Sequence, residues 1–161
     1  MKYFLGVDPG YANCGWCIVN REGKRIAGGT IHPKKLGIEQ SIHKLFIEEI
    51  GNIQIEAASL ERYVYYEGKN NASSEQILMV TGAIRYALYS KSIPFDMYRA
   101  LDWKNKFSRY LFKTRDFKNP SDRLDKAFSL AAAECYTSHS FKTDHEADAA
   151  CLASMAQLKY E

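Results

Sequence analysis

The first 32 residues hold three short apolar runs joined by links too short to contain a helix. Residues 2–7 (KYFLGV), 14–20 (CGWCIVN) and 25–32 (RIAGGTIH) each suit a strand, and REGK between the last two is a turn. Strands joined this way pair as an antiparallel meander. The first run is apolar almost throughout, which fits a central strand covered on both faces. After it the pattern changes. Ile38, Ile42, Leu45, Phe46 and Ile50 recur at helical spacing, so residues 38–50 are expected to form an amphipathic helix. Residues 57–61 suit a fourth strand, 73–90 a long helix capped by Ser73 or Ser74, and 93–99 a fifth strand. LDWKNKFSRYLF, residues 121–136 and a segment from Thr143 to about Leu158 read as further helices. This order predicts an α/β fold in a single domain, 1–161. Its mixed five-stranded sheet has three antiparallel hairpin strands, then two parallel ones, and is flanked by helices.

Bulk properties exclude several classes. With 46% apolar and 25% charged residues the chain is globular, not disordered. No apolar run approaches the ~20 residues needed to cross a bilayer. The first run is too short for a signal-peptide core and is broken by Asp8. No membrane partner and a cytoplasmic location are therefore expected. Cys14 and Cys17 form C-x-x-C, but on a strand and with no second pair, so they are read as core side chains and not as a redox or zinc site.

Three separated places carry carboxylates that the fold can gather. Asp8 ends the first strand, where α/β sheets collect ligands. Glu61 ends the fourth; so close to a buried strand it needs a partner, Arg62 or a metal. In TDHEADAACLASMA, Thr143 and Glu146 have capping-box spacing. His145 and Asp148, three apart, share one face of that helix, and Ala149, Ala150, Ala153 and Ala156 let it pack closely on the sheet. Asp8, Glu61, His145 and Asp148 together make an oxygen- and imidazole-rich set suited to Mg2+, with Mn2+ able to substitute. Two such ions about 4 Å apart can activate a water and stabilise a leaving oxygen in phosphodiester hydrolysis.

These motifs occur in a known order. FLGVDPGYANCGWCIV, LERYVYYEGKNNASSEQILMVTGAIRYAL and HEADAACLA resemble, in sequence, the RuvC family of Holliday-junction resolvases in the RNase H-like nuclease superfamily. The resemblance spans nearly the whole chain. It implies an RNase H-like fold and a structure-selective endonuclease that nicks four-way junctions in pairs, leaving 5′-phosphate and 3′-hydroxyl ends. Asp8, Glu61 and Asp148 match the family's acidic ligands, and His145 falls where the family has Asp or His. Lys104 and Lys126 match two basic residues near the scissile phosphate, and either is expected to stabilise the charged transition state. Where the family commonly places an aromatic wedge, Val64 stands among Tyr63, Tyr65 and Tyr66.

The remaining charge pattern fits DNA. Arg99, Lys104, Lys106, Arg109, Lys113, Arg115, Lys118, Arg123 and Lys126 fall in one stretch, enough to hold phosphates. Trp103 and Phe107 in the same stretch are expected in the core. Arg62, Tyr63, Tyr65, Tyr66, Lys69 and Asn70, beside Glu61, are expected to contact DNA, with at least one tyrosine stacking on an unpaired base. A junction's near-twofold symmetry calls for a homodimer. Helix 73–90, with Ile77, Val80, Ile84 and Leu88, has apolar surface for both core and partner. The rival readings are a related nuclease acting on RNA or on forks and flaps, and a junction-binding protein without catalysis. An actin-like ATPase shares the opening strand but needs two lobes, too much for 161 residues.

Overall fold

The computed structural model describes residues 1–64, 72–111 and 126–161. The sheet has five strands: β1 (Tyr3–Asp8), β2 (Cys14–Asn20), β3 (Arg25–Ile31), β4 (Ile55–Glu61) and β5 (Phe95–Tyr98), in spatial order β3-β2-β1-β4-β5. The meander is antiparallel, and β1, β4 and β5 run parallel. This is the mixed sheet expected from the sequence, with β1 central.

Helices cover both faces. Short α1 (Pro33–Leu36) precedes α2 (Ile38–His43), which continues as a π-helical turn over Lys44–Glu49. The one amphipathic helix expected over 38–50 is thus wound two ways, with Leu45, Phe46 and Ile50 all buried. Then follow α3 (Ala72–Ser90), α4 (Ala100–Leu111), α5 (Lys126–Thr137) and α6 (Asp144–Tyr160).

The two-residue period of the strands sorts the core. Leu5, Val7, Ile18, Ala58 and Leu60 face α2 and α3. Phe4, Cys17, Val19 and Ala57 face the other way, onto α6 with Trp103, Phe107 and Phe128. Asp8 is four residues from Phe4, and Glu61 is four from Ala57. Both carboxylates therefore belong to the α6 face. Val7 stands beside Leu60 on the adjacent parallel strand, so Asp8 and Glu61 are the next residue along each.

The approach of α6 is unusually close, because glycines meet its backbone. A Cβ on Gly6 would lie 1.9 Å from the Ala149 carbonyl oxygen, and one on Gly15 would lie 2.0 Å from that of His145. The alanines of α6, all fully buried, complete this contact.

Three local expectations are corrected. First, α3 begins at Ala72, so Ser73 and Ser74 are inside its first turn and are not caps; the Ser74 hydroxyl instead shares a hydrogen bond with the Tyr63 hydroxyl at 2.7 Å. Second, Thr143 does cap α6 and accepts from the Glu146 backbone N–H, but the Glu146 side chain does not close a capping box. It pairs with Arg25 of β3 at 2.6 Å. Third, Val80, Ile84 and Leu88 are fully buried against the sheet. The apolar surface that α3 exposes is a different stripe: Leu78, Met79, Tyr86 and Tyr89.

Candidate nuclease site

Asp8, Glu61, His145 and Asp148 converge at the C-terminal edge of the parallel strands, under the first turns of α6. The capped start of α6 puts His145 over the end of β1, with His145 Nδ1 3.3 Å from Asp8 Oδ2. On the other side of the ring, Asn13 Nδ2 lies 3.5 Å from His145 Nε2, and His32 Nδ1 lies 3.0 Å from Asn13 Oδ1. If the His32 nitrogen donates to Asn13, the Asn13 amide donates to Nε2, and the His145 Nδ1–H points at Asp8. The bond to Asp8 raises the His145 pKa above its ordinary value, against the opposing effect of burial.

The other two carboxyls are held away from water. Burial, reinforced by the negative charge of Asp8, pushes Glu61 up to about 8. Burial and Asp8 likewise push Asp148 up to about 7. Glu61 Oε2 accepts a hydrogen bond from the Trp103 indole N–H at 2.9 Å. Arg62, its expected partner as a surface pair, is itself exposed. The Ser129 hydroxyl supports Asp148, yet Asp148 Oδ1 is buried and has no hydrogen-bond partner among the described residues. Three crowded carboxyls, two of them driven toward neutrality and one with an orphaned oxygen, are what a cation would relieve. The hard oxygen donors and single imidazole fit a divalent ion such as Mg2+ or Mn2+. Among the described residues no three His, Cys, Asp or Glu side chains already enclose such a site.

The two lysines are placed differently. Lys104 is buried, its ammonium 5.1 Å from the Trp103 ring, and its charge acts on both Glu61 and Asp148. Lys126, at the start of α5, is 77% exposed and pairs with Asp144 at 3.2 Å. Lys106 is exposed on α4, while Trp103 and Phe107 are core residues as expected. Two clefts border the site, one at Glu61 and one at His145. One of about 410 Å³ is lined by Glu61, Arg62, Tyr63, Arg99 and Asn105. Another of about 330 Å³ is lined by Tyr11, Asn13, Lys34, Ser73 and His145. Tyr65, Tyr66, Lys69 and Asn70 lie outside the described residues, as do Lys113, Arg115, Lys118, Arg123 and the Arg109 side chain.

Sequence reasoning missed Trp103 as a partner of Glu61, Arg25 as the anchor of Glu146, and Asn13 beside His145. No spacing rule links these residues; a buried indole and a half-buried arginine acquire partners only through the fold. Cys14 and Cys17 are core side chains as expected, buried free thiols that burial pushes up to about 12; Cys151 is buried as well and Cys135 is exposed.

Comparison with known proteins places the fold and the chain. The family model "Crossover junction endodeoxyribonuclease RuvC" matches residues 4–108. The crossover junction endodeoxyribonuclease RuvC of Borrelia turicatae is 31% identical over 115 residues, covering 66% of this chain and 69% of that protein. Among solved structures, Thermus thermophilus RuvC in complex with a Holliday junction substrate superposes with a TM-score of 0.68 at 16% identity, over 94% of this chain and 90% of that one. Fowlpox virus resolvase, in complex with its substrate Holliday junction DNA, gives 0.55 at 18% identity, over 96% and 97%. The five-stranded sheet, the motif order and the matched span agree: the chain belongs to the RuvC family of crossover junction endodeoxyribonucleases.

Proposed function

We propose that this protein resolves four-way DNA junctions by paired, Mg2+-dependent nicks that leave 5′-phosphate and 3′-hydroxyl ends. The observation that carries the reading is the gathering of Asp8, Glu61, His145 and Asp148 from three elements onto one sheet face, in a chain of this family. Asp8, Glu61, His145 and Asp148 would hold the metal; Mg2+ there would supply Lewis-acid activation of water and of the scissile phosphate, with two ions as the expected number.

The chain's own groups do the rest. His145, held over Asp8 with its Nδ1 3.3 Å from Asp8 Oδ2 and its Nε2 turned to Asn13, presents Nδ1 to the site. Lys104 places its side-chain nitrogen beside the carboxylates, where charge develops on the phosphate. Lys126, exposed and paired with Asp144 beside His145, can exchange that carboxylate for a phosphate. Arg62 and Lys106 offer exposed cations to the backbone, and Tyr63, with Tyr65, Tyr66, Lys69 and Asn70 of the following segment, is proposed to meet the unpaired bases at the crossover. A homodimer through the exposed stripe of α3 would present two such sites to opposed strands. No helix among the described residues is long and apolar enough to cross a membrane, and a DNA-associated, cytoplasmic protein follows from the proposed substrate.

The test is cleavage of synthetic four-way, three-way, flap and RNA-containing substrates with Mg2+, with mapping of the ends. Symmetric nicks confined to the four-way junction support the reading. Preference for flaps or RNA would favour the related-nuclease alternative, and binding without cutting under Mg2+ and Mn2+ would favour a non-catalytic binder.

A further inference from the structure

We propose that Trp103 is a positioning residue for Glu61, its indole N–H fixing the carboxylate in the orientation from which it serves the metal; this rests on the reading of Glu61 as a ligand given above. The Trp103 Nε1 to Glu61 Oε2 distance is 2.9 Å, and the Trp103 side chain is fully buried. A buried indole N–H needs an acceptor, and here the acceptor is an ionisable group at the edge of the site.

The chemistry of the donor matters. Indole is a donor only, and it is neutral. It holds one lone pair of one oxygen and leaves the second oxygen for other partners. A lysine or arginine in that place would bring a charge to compete with a cation, whereas the indole orients without competing. Its own orientation is set by the core. Phe107 meets the Trp103 ring edge-on at 6.4 Å, and Tyr136 of α5 meets Phe107 at 4.6 Å. This row of rings ties Glu61, at the end of β4, to α4 and α5. Outer partners of this kind orient ligands and commonly govern metal affinity about 10–100-fold.

Two readouts test the proposal, one of them independent of cleavage. The chain has two tryptophans, so the NMR spectrum holds two indole N–H resonances, assigned with W16F. In the DNA-free protein, E61A should move the Trp103 resonance and leave that of Trp16, and so should saturating Ca2+ or Mg2+. In W103F the Mg2+ concentration for half-maximal junction cleavage should rise about 10-fold or more. L45A, which opens a cavity in the opposite core layer, should lower stability and leave that concentration unchanged. A Trp103 resonance indifferent to both E61A and metal overturns the proposal, even if W103F fails to fold. So does an unchanged Mg2+ requirement in folded W103F when E61A is inactive, which leaves the ligand reading standing. Full activity of E61A overturns the ligand reading, and the proposal with it.

Discussion

Substituting Gly15 by alanine should disable the site without touching any of its functional groups. Gly15 pairs with Asp8 across the β1–β2 ladder and lies beneath the start of α6. The new Cβ would stand 2.0 Å from the His145 carbonyl oxygen and 2.4 Å from its carbonyl carbon, where ordinary contact begins at 3.4 Å. The obstacle is backbone, not the end of a flexible side chain, so the first turn of α6 must lift by about 1.4 Å. His145 and Asp148 ride on that turn. A displacement of that size at reacting groups costs about 100-fold in rate. Overpacking should also cost about 1–3 kcal/mol of stability, a fall of about 2–12 °C in Tm for a chain this long. Gly29→Ala is the control: it lies on the next strand, and its Cβ would find nothing nearer than the Trp16 indole nitrogen at 3.4 Å. Single-turnover cleavage of a four-way junction, read beside a thermal melt, decides the matter. A Gly15→Ala protein with wild-type rate and Tm would refute the claim that helix–sheet contact sets the site.

Other consequences can be checked directly. Glu61 and Asp148 are raised to about 8 and about 7, so the folded, metal-free protein holds protons there that the unfolded chain releases above about pH 4. Their stabilising contribution is full below the unfolded values and is lost as pH rises through the folded ones. The Tm of metal-free protein should therefore fall between about pH 5 and 8, Mg2+ should reverse the fall, and Mg2+ affinity by calorimetry should rise over the same range. Arg25→Ala strands the half-buried Glu146 carboxylate and should cost about 2 kcal/mol in a denaturant melt; a double-mutant cycle with Glu146→Gln should show positive coupling. Charged residues at Leu78 and Tyr86 should yield a monomer in sedimentation while leaving the far-UV spectrum unchanged, since both side chains are exposed on α3.

The five strands, and the change from an antiparallel meander to parallel strands after the third, were legible because period and link length indicate them. Three hairpin strands leave few ways to continue, and the helix–strand–helix–strand that follows adds its strands beside β1. The carboxylates were legible too, since a charge closing an apolar strand is anomalous in any fold. Which face they share was implicit in the alternation from Phe4 to Asp8 and from Ala57 to Glu61. The partners were not legible. Glu146 has the spacing of a capping box, and local spacing says nothing of an arginine 121 residues away. Val80, Ile84 and Leu88 read equally as core or interface until the sheet claims them, leaving Leu78, Met79, Tyr86 and Tyr89 outside. Gly6 and Gly15 look like ordinary strand glycines, and only the contact with the α6 backbone shows why a side chain cannot stand there.

Asp8, joined by Glu61, His145 and Asp148, is proposed as the metal-dependent cutting centre of a junction-resolving nuclease. Cleavage of a synthetic four-way junction by wild type and Asp8→Asn, at saturating Mg2+ and with junction binding measured in parallel, tests it most directly. The expected result is symmetric nicking by the wild type, and a variant that still binds the junction but cuts it at least about 100-fold more slowly. An Asp8→Asn protein that cuts at near the wild-type rate would contradict the account.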